Sequence, residues 1–130
     1  MPKNKKDWVL FYPTADEKMA DIWAYSSQWD EAHADRYTES LYKAINRQRD
    51  ESLRRPFPRA KTADITDEQI YCFIWKYKSH TPAHTVFYRI LLGDNIGVID
   101  IIGPGQDKDN RLRDALEEVE PLIKQETDDG

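Results

Sequence analysis

Two histidines four residues apart, His80 and His84, have a spacing that is typical of metal ligands. That spacing brings two imidazoles together on a helix, where residues i and i+4 share one face. Pro82 stands between them, and a proline inside a helix removes a hydrogen bond and clashes with the preceding turn. No cysteine or carboxylate cluster lies nearby in sequence to complete a tetrahedral site. We therefore expect neither a metal nor another cofactor.

The lone cysteine and the common catalytic motifs do not define a reaction either. Cys72 lies in the apolar run IYCFIW, where a thiol more often packs as a small buried side chain than reacts. A single cysteine cannot form an intrachain disulfide, which is compatible with a reducing compartment. The sequence contains no Gly-rich phosphate loop, no nucleophile elbow and no internal repeat.

Length and hydropathy predict one domain that spans residues 1–130 and stays out of the membrane. No apolar run approaches the roughly 20 residues that a membrane helix needs. The start MPKNKKDW lacks the apolar core of a signal peptide. We expect a cytoplasmic protein with no membrane partner.

The net charge of the chain is −5, which argues against a protein whose whole surface binds nucleic acid by neutralising phosphates. The charges are, however, unevenly distributed along the sequence. Residues 43–62 carry seven basic and two acidic groups, a local +5, whereas residues 107–130 carry four and nine, a local −5. The basic stretch contains a turn that prolines stiffen, and such a turn suits binding to an acidic protein surface or to phosphates. The alternative is that its basic side chains are only solvated and that the ring of Phe57 packs in the core. Its candidate contact residues are Arg54, Arg55, Phe57, Arg59 and Lys61.

Residues 84–103 form the most strongly patterned stretch, two β-branched and aromatic runs joined across a GDN turn, and they predict a β-hairpin. A two-residue turn at Asp94-Asn95 would place Arg89 opposite Asp100. Such an opposite-charge pair is more often structural than catalytic. A three-residue loop would shift the pairing. In the two-residue register one face is wholly apolar and comprises Tyr88, Ile90, Leu92, Ile99 and Ile101.

The elements before the hairpin follow from local signals. Residues 8–12 predict a short strand that ends before Pro13, and Thr14 with Glu17 has the spacing of a capping box that starts a first helix. The apolar stripe of this helix, with Trp29 near its end, is expected to pack on the sheet, and an aromatic ligand site is the alternative.

A longer helix is predicted from Asp30 to Arg55, where the sequence PFP must end it. Residues 70–78 are rich in Ile, Tyr, Phe and Trp and predict the second strand. After the hairpin, Asp107 or Asp109 caps a last helix that reaches about residue 124. Its apolar face packs on the core or meets a partner, and includes Leu112 and Leu116.

This order of elements, together with PFPRA, HTVFYRIL and IDIIGPGQD, resembles the RelE/ParE superfamily of bacterial toxins from toxin–antitoxin pairs. The resemblance covers residues 8–111. It implies an α+β fold, a small curved antiparallel sheet packed beside an N-terminal helical hairpin, with a C-terminal helix at about residues 107–125. It also implies a cognate antitoxin as partner, and a homodimer or a toxin–antitoxin hetero-oligomer as the assembly.

One branch of the superfamily cleaves mRNA on the ribosome, and its residues are matched here only in part. Such cleavage needs a base for the 2′-OH, cationic stabilisation of the phosphorane and an acid for the leaving oxygen. The residues that match this set are Lys76, Lys78, His84 and Arg89. Gly103-Pro104-Gly105 stands where the branch carries a later basic group, and no tyrosine follows Tyr88.

The other branch inhibits DNA gyrase by binding and needs no catalytic set. The pair Tyr88-Arg89 and the basic turn look more like this branch, although Gly103 replaces a histidine often found there. The resemblance therefore favours a non-enzymatic gyrase-binding toxin, and the residues expected to bind the target or the antitoxin are Tyr88, Leu112, Leu116 and those of the basic turn. The alternatives are a ribosome-dependent mRNA endoribonuclease and an inactive relative.

Overall fold

The computed structural model describes residues 9–52, 70–78, 81–91 and 95–129. Within them the order is strand, helical hairpin, three strands and a final helix, as the sequence predicts. The bounds are β1 (Val9–Phe11), α1 (Pro13–Ser27), α2 (Glu31–Ser52), β2 (Tyr71–Trp75), β3 (His84–Leu91), β4 (Asn95–Ile102) and α3 (Lys108–Asp129).

The strands form one curved, four-stranded sheet in the order β1-β4-β3-β2. β2 with β3 and β3 with β4 are antiparallel, whereas β1 runs parallel to β4, with Val9 opposite Ile96. The predicted α+β fold is confirmed, but the sheet is mixed and not wholly antiparallel. A parallel pair needs a long crossover, and the helical hairpin lies in the segment that joins β1 to the other strands.

Helices cover the two faces of the sheet and create two apolar clusters. On one face, Leu41 and Ile45 of α2 pack with Tyr88 and Val98 of the sheet. On the other face α3 is docked over the sheet, and its buried side chains are Leu112, Ala115, Leu116, Val119 and Ile123. Burial of an apolar side chain stabilises a fold by about 1.5–3 kcal/mol, so α3 is an integral part of the core.

The predicted hairpin is confirmed, but its predicted register is wrong. Asn95 belongs to β4 and not to the turn, so Leu91 lies opposite Asn95 and Arg89 lies opposite Gly97. A second shift, between Phe87 and Tyr88, follows further along the pair. It is a β-bulge, in which one strand carries an extra residue and its alternation reverses. The predicted apolar face is therefore split: Tyr88 and Ile101 face the helical hairpin, while Ile99 faces α3.

The helix starts follow proline and aspartate, with one correction. α1 begins at Pro13, whose fixed backbone angle suits a first helical position, and Tyr12 caps it without a side-chain hydrogen bond. The predicted capping box is wrong, because the Thr14 hydroxyl instead donates to Glu118 of α3 at 2.7 Å. Asp30 accepts from the backbone N–H of Ala32 at 3.1 Å and thereby caps α2. The predicted cap of α3 is confirmed as Asp107, which accepts from the N–H of Asn110 at 3.2 Å.

Candidate functional site

The residues proposed for RNA cleavage do not converge on one site. His84 begins β3 opposite Trp75, and the exposed Lys76 and Lys78 follow β2 at this same end of the sheet. Arg89 lies five residues along β3, about 17 Å away at the usual strand rise, and faces α3. Three of the four candidates therefore share one end of the sheet, and the guanidinium lies elsewhere.

Arg89 is held in a structural contact with Tyr12. Its Nη1 donates to the Tyr12 hydroxyl at 3.1 Å. The buried ring of Tyr12 lies against Gly97, where a Cβ would meet a ring carbon at 2.7 Å, so glycine makes room for the ring. The predicted pair of Arg89 with Asp100 is wrong, because the corrected register places Phe87 opposite Asp100.

Asp100 takes its counter-charge from α1. Its side chain is 1% exposed, and its Oδ1 accepts from Lys18 Nζ at 3.0 Å and from the backbone N–H of Ile101 at 2.8 Å. Burial raises the pKa of this carboxyl, while the hydrogen bond and charge of Lys18 oppose that rise. Desolvation outweighs the attraction here, as is common for buried ion pairs. The pair ties α1 to the bulged part of β4.

A cleft of about 680 Å³ lies where the tip of the helical hairpin meets the His84 end of the sheet. We call it the aromatic cleft. It is lined by Tyr25 and Trp29 at the end of α1, His33 and Tyr37 of α2, and Pro82 and His84 at the start of β3. Sequence analysis identifies one of these residues, His84, as a candidate.

Tyr37 and His84 form the floor of the aromatic cleft and pack against further rings that lie outside its lining. The Tyr37 ring lies 5.1 Å from Trp75, 5.1 Å from Tyr77 and 6.4 Å from His84. Burial raises the pKa of Tyr37 and lowers the pKa of His84, so both side chains stay neutral. His84 Nδ1 is buried without a hydrogen-bond partner among the described residues.

The rim of the aromatic cleft carries two exposed rings, of which sequence analysis names Trp29, with packing on the sheet as the expectation and an aromatic ligand site as the alternative. Trp29 is 68% exposed and Tyr25 is 64% exposed, and their rings meet edge to face at 4.9 Å. The prediction that Trp29 packs on the sheet is wrong. Helical periodicity identifies which side chains share a face, but α1 ends at Ser27, so the helical phase no longer applies at Trp29.

The proposed contact residues fall into two groups. Tyr88 and Leu112 are fully buried and Leu116 is 5% exposed, so none of them is on the surface of the chain alone. The Tyr88 hydroxyl accepts from the side-chain amide of Gln48 at 3.2 Å. The basic-turn candidates, Arg54, Arg55, Phe57, Arg59 and Lys61, lie outside the described residues.

Residues 9–52, 70–78, 81–91 and 95–129 contain no group of three or more histidine, cysteine or acidic side chains arranged to hold a metal ion. In the same ranges, none of the helices combines the length and the hydropathy that crossing a bilayer requires.

The structure is that of a small α+β protein with a cleft whose rim carries exposed aromatic rings. Comparison with protein families gives one match, to the ParE toxin of the type II toxin-antitoxin system, parDE, over residues 9–108. No curated protein matches the chain. The match covers most of the sequence, and the chain belongs to this family of toxins. Toxins of this family pair with a cognate antitoxin.

Proposed function

We propose that this toxin arrests growth by binding DNA gyrase in the cytoplasm, as one domain, and that its cognate antitoxin neutralises it. The dispersed catalytic candidates support this proposal. General acid–base catalysis requires each group within about 2.6–3.2 Å of the proton it transfers, directly or through one water. Arg89, tied to Tyr12 near the far end of β3, is too distant to act with His84. Binding requires no such convergence.

Cleavage of mRNA on the ribosome is the second candidate function. His84, Lys76 and Lys78 lie at one end of the sheet, and a neutral imidazole with two ammonium groups at the same end suits attack by a 2′-OH on a phosphate. Tyr37 near His84 supplies a hydroxyl. Arg89 does not join this set, although the guanidinium of Arg111 lines the same cleft as His84.

Parallel assays of the two targets separate these functions. The chain is expressed alone and with the adjacent open reading frame, and growth, gyrase supercoiling and ribosome-bound mRNA are followed together. We expect growth arrest that the neighbour relieves, loss of supercoiling and intact mRNA. Codon-positioned cuts with normal supercoiling would establish the nuclease instead. Normal growth at high expression would contradict both activities and leave the inactive relative.

A further inference from the structure

We propose that the aromatic cleft docks a segment of the target protein that inserts an apolar or aromatic side chain and presents a carboxylate to Arg111. The inference rests on the proposed function in one respect, that the toxin acts by binding a protein. It holds whether or not that protein is gyrase.

The exposed rings at the rim give the cleft its capacity to bind. Tyr25 and Trp29 leave about two thirds of their surfaces in water in the chain alone, and they are neighbours. Adjacent exposed aromatic rings of this kind are typical of interaction sites, and tryptophan and tyrosine dominate the binding energy of protein interfaces.

The cleft is formed before any partner arrives. Trp23 Nε1 of α1 donates to Asp35 Oδ1 of α2 at 2.8 Å, which holds the two helices together near the tip. Below the rim, Tyr37 packs edge to face on Trp75 of β2 and so fixes α2 to the sheet. A partner then loses little free energy to ordering the toxin.

The floor favours an apolar occupant over an ion. Both titratable groups at the bottom, Tyr37 and His84, are neutral because burial opposes their charged forms. A charged group inserted there would lose its hydration without gaining an opposite charge. His84 Nδ1, which is buried without a hydrogen-bond partner among the described residues, is a polar atom in this floor. The cleft volume of about 680 Å³ lies within the range of small-ligand and side-chain pockets, roughly 300–1,000 Å³.

The charged residues at the margin set the position of the carboxylate. Lys18 is already paired with Asp100 at 3.0 Å. Arg111 is exposed at the α3 margin. Its charge acts on the buried Asp100, but among the described residues its side chain has no carboxylate partner within 4 Å. Asp21 lines the cleft on its α1 side and repels an anion from that side. A carboxylate on the α3 side fits these charges better than a nucleic acid, whose phosphates would spread along both margins.

Trp29→Ala tests the rim, and Ile74→Ala is its matched control. Both side chains are 68% exposed, and Ile74 lies on β2 outside the cleft. Removing the ring should weaken binding of purified gyrase about tenfold or more and relieve growth arrest, as expected of an aromatic hot spot. Ile74→Ala should leave both unchanged. Equal melting temperatures of the two variants would show that the fold is retained.

Arg111→Gln tests the carboxylate, and Arg113→Gln, exposed two residues further along α3, is its control. The first change should weaken binding several-fold and reduce its salt dependence, while the second should do neither. A wild-type toxin that binds gyrase, with Trp29→Ala binding equally well, would overturn the cleft and leave the proposed function standing. If the toxin arrests growth without binding gyrase, and Trp29→Ala but not Ile74→Ala abolishes toxicity, the cleft is supported as the docking site. Gyrase is then not the target. Binding of a single-stranded oligonucleotide that Trp29→Ala abolishes, with gyrase binding unchanged, would also overturn the proposal.

Discussion

Arg89 shows how the length of a hairpin loop sets which residues lie opposite each other. A two-residue turn predicts an ion pair with Asp100, whereas the start of β4 at Asn95 places Gly97 opposite Arg89. Loop length and the bulge beyond Tyr88 depend on tertiary packing as well as on local sequence, so the pairing of individual residues could not be read from the pattern. Gly97 was the available signal, because glycine inside a strand often marks the close approach of another group.

A double-mutant cycle measures which partner Arg89 has. Changing Arg89 to Met and Tyr12 to Phe removes the 3.1 Å hydrogen bond from each side, and we expect a coupling free energy of about 1 kcal/mol in urea denaturation. The matching cycle of Arg89 with Asp100→Asn should give a coupling below about 0.5 kcal/mol. A larger coupling in the second cycle than in the first would contradict the observed register.

Lys18→Met should leave a buried carboxylate without its main counter-charge. We expect Lys18→Met to lower the free energy of unfolding by about 3 kcal/mol near pH 7. This is the lower end of the cost of breaking a buried ion pair, because the Lys18 side chain is one-fifth exposed. Burial holds the pKa of Asp100 above its unfolded value, so protonation favours the folded state as pH falls. The cost of Lys18→Met should therefore shrink on acidification through that raised pKa.

Urea denaturation at several pH values between about 7 and 4 measures this loss. Lys43→Met, the same change at an exposed position of α2, is the control and should cost little at any pH. A cost for Lys18→Met that stayed constant with pH would show that its contact with Asp100 does not set the effect.

At the scale of elements, most of the fold could be predicted, because periodicity and prolines are local signals. The helices, the hairpin and the capping role of Asp107 are confirmed, whereas the capping box at Thr14 is not. A proline at the first helical position started α1 without that cap. Sequence analysis offers an aromatic ligand site at Trp29 only as the alternative to core packing, because an exposed ring and a core ring look identical in sequence.

Paired alanine substitutions test whether α3 is a core element. Leu112→Ala should lower the free energy of unfolding by about 2–5 kcal/mol, since this side chain of α3 is fully buried against the sheet. Leu122→Ala, on the same helix but 37% exposed, should cost well under about 1 kcal/mol. Thermal or urea unfolding measures both. Similar small losses would indicate a helix that is loosely docked and available to a partner.

For the whole molecule, sequence identified the family but only part of the site. His84 was a candidate and lies in the aromatic cleft, while Arg89 turned out to be tied to Tyr12. A binding surface has no spacing rule of the kind that metal ligands or catalytic triads obey, because its residues need only share an exposed patch. Tyr25 and Trp29 are four residues apart at the end of α1, whereas His84 begins β3, and only the packed fold brings His84 to them.

Titration of gyrase supercoiling by the purified toxin tests most directly the proposal that this protein acts by binding. We expect inhibition that rises with the toxin-to-gyrase ratio, is reversed by the antitoxin and leaves RNA intact, because a binding inhibitor is not turned over. The double variant Lys76→Ala and Lys78→Ala changes two exposed side chains outside the aromatic cleft and should inhibit equally. If a large excess of purified toxin left supercoiling unchanged, while expression of the same chain still arrested growth, the proposal that it acts by binding gyrase would be contradicted.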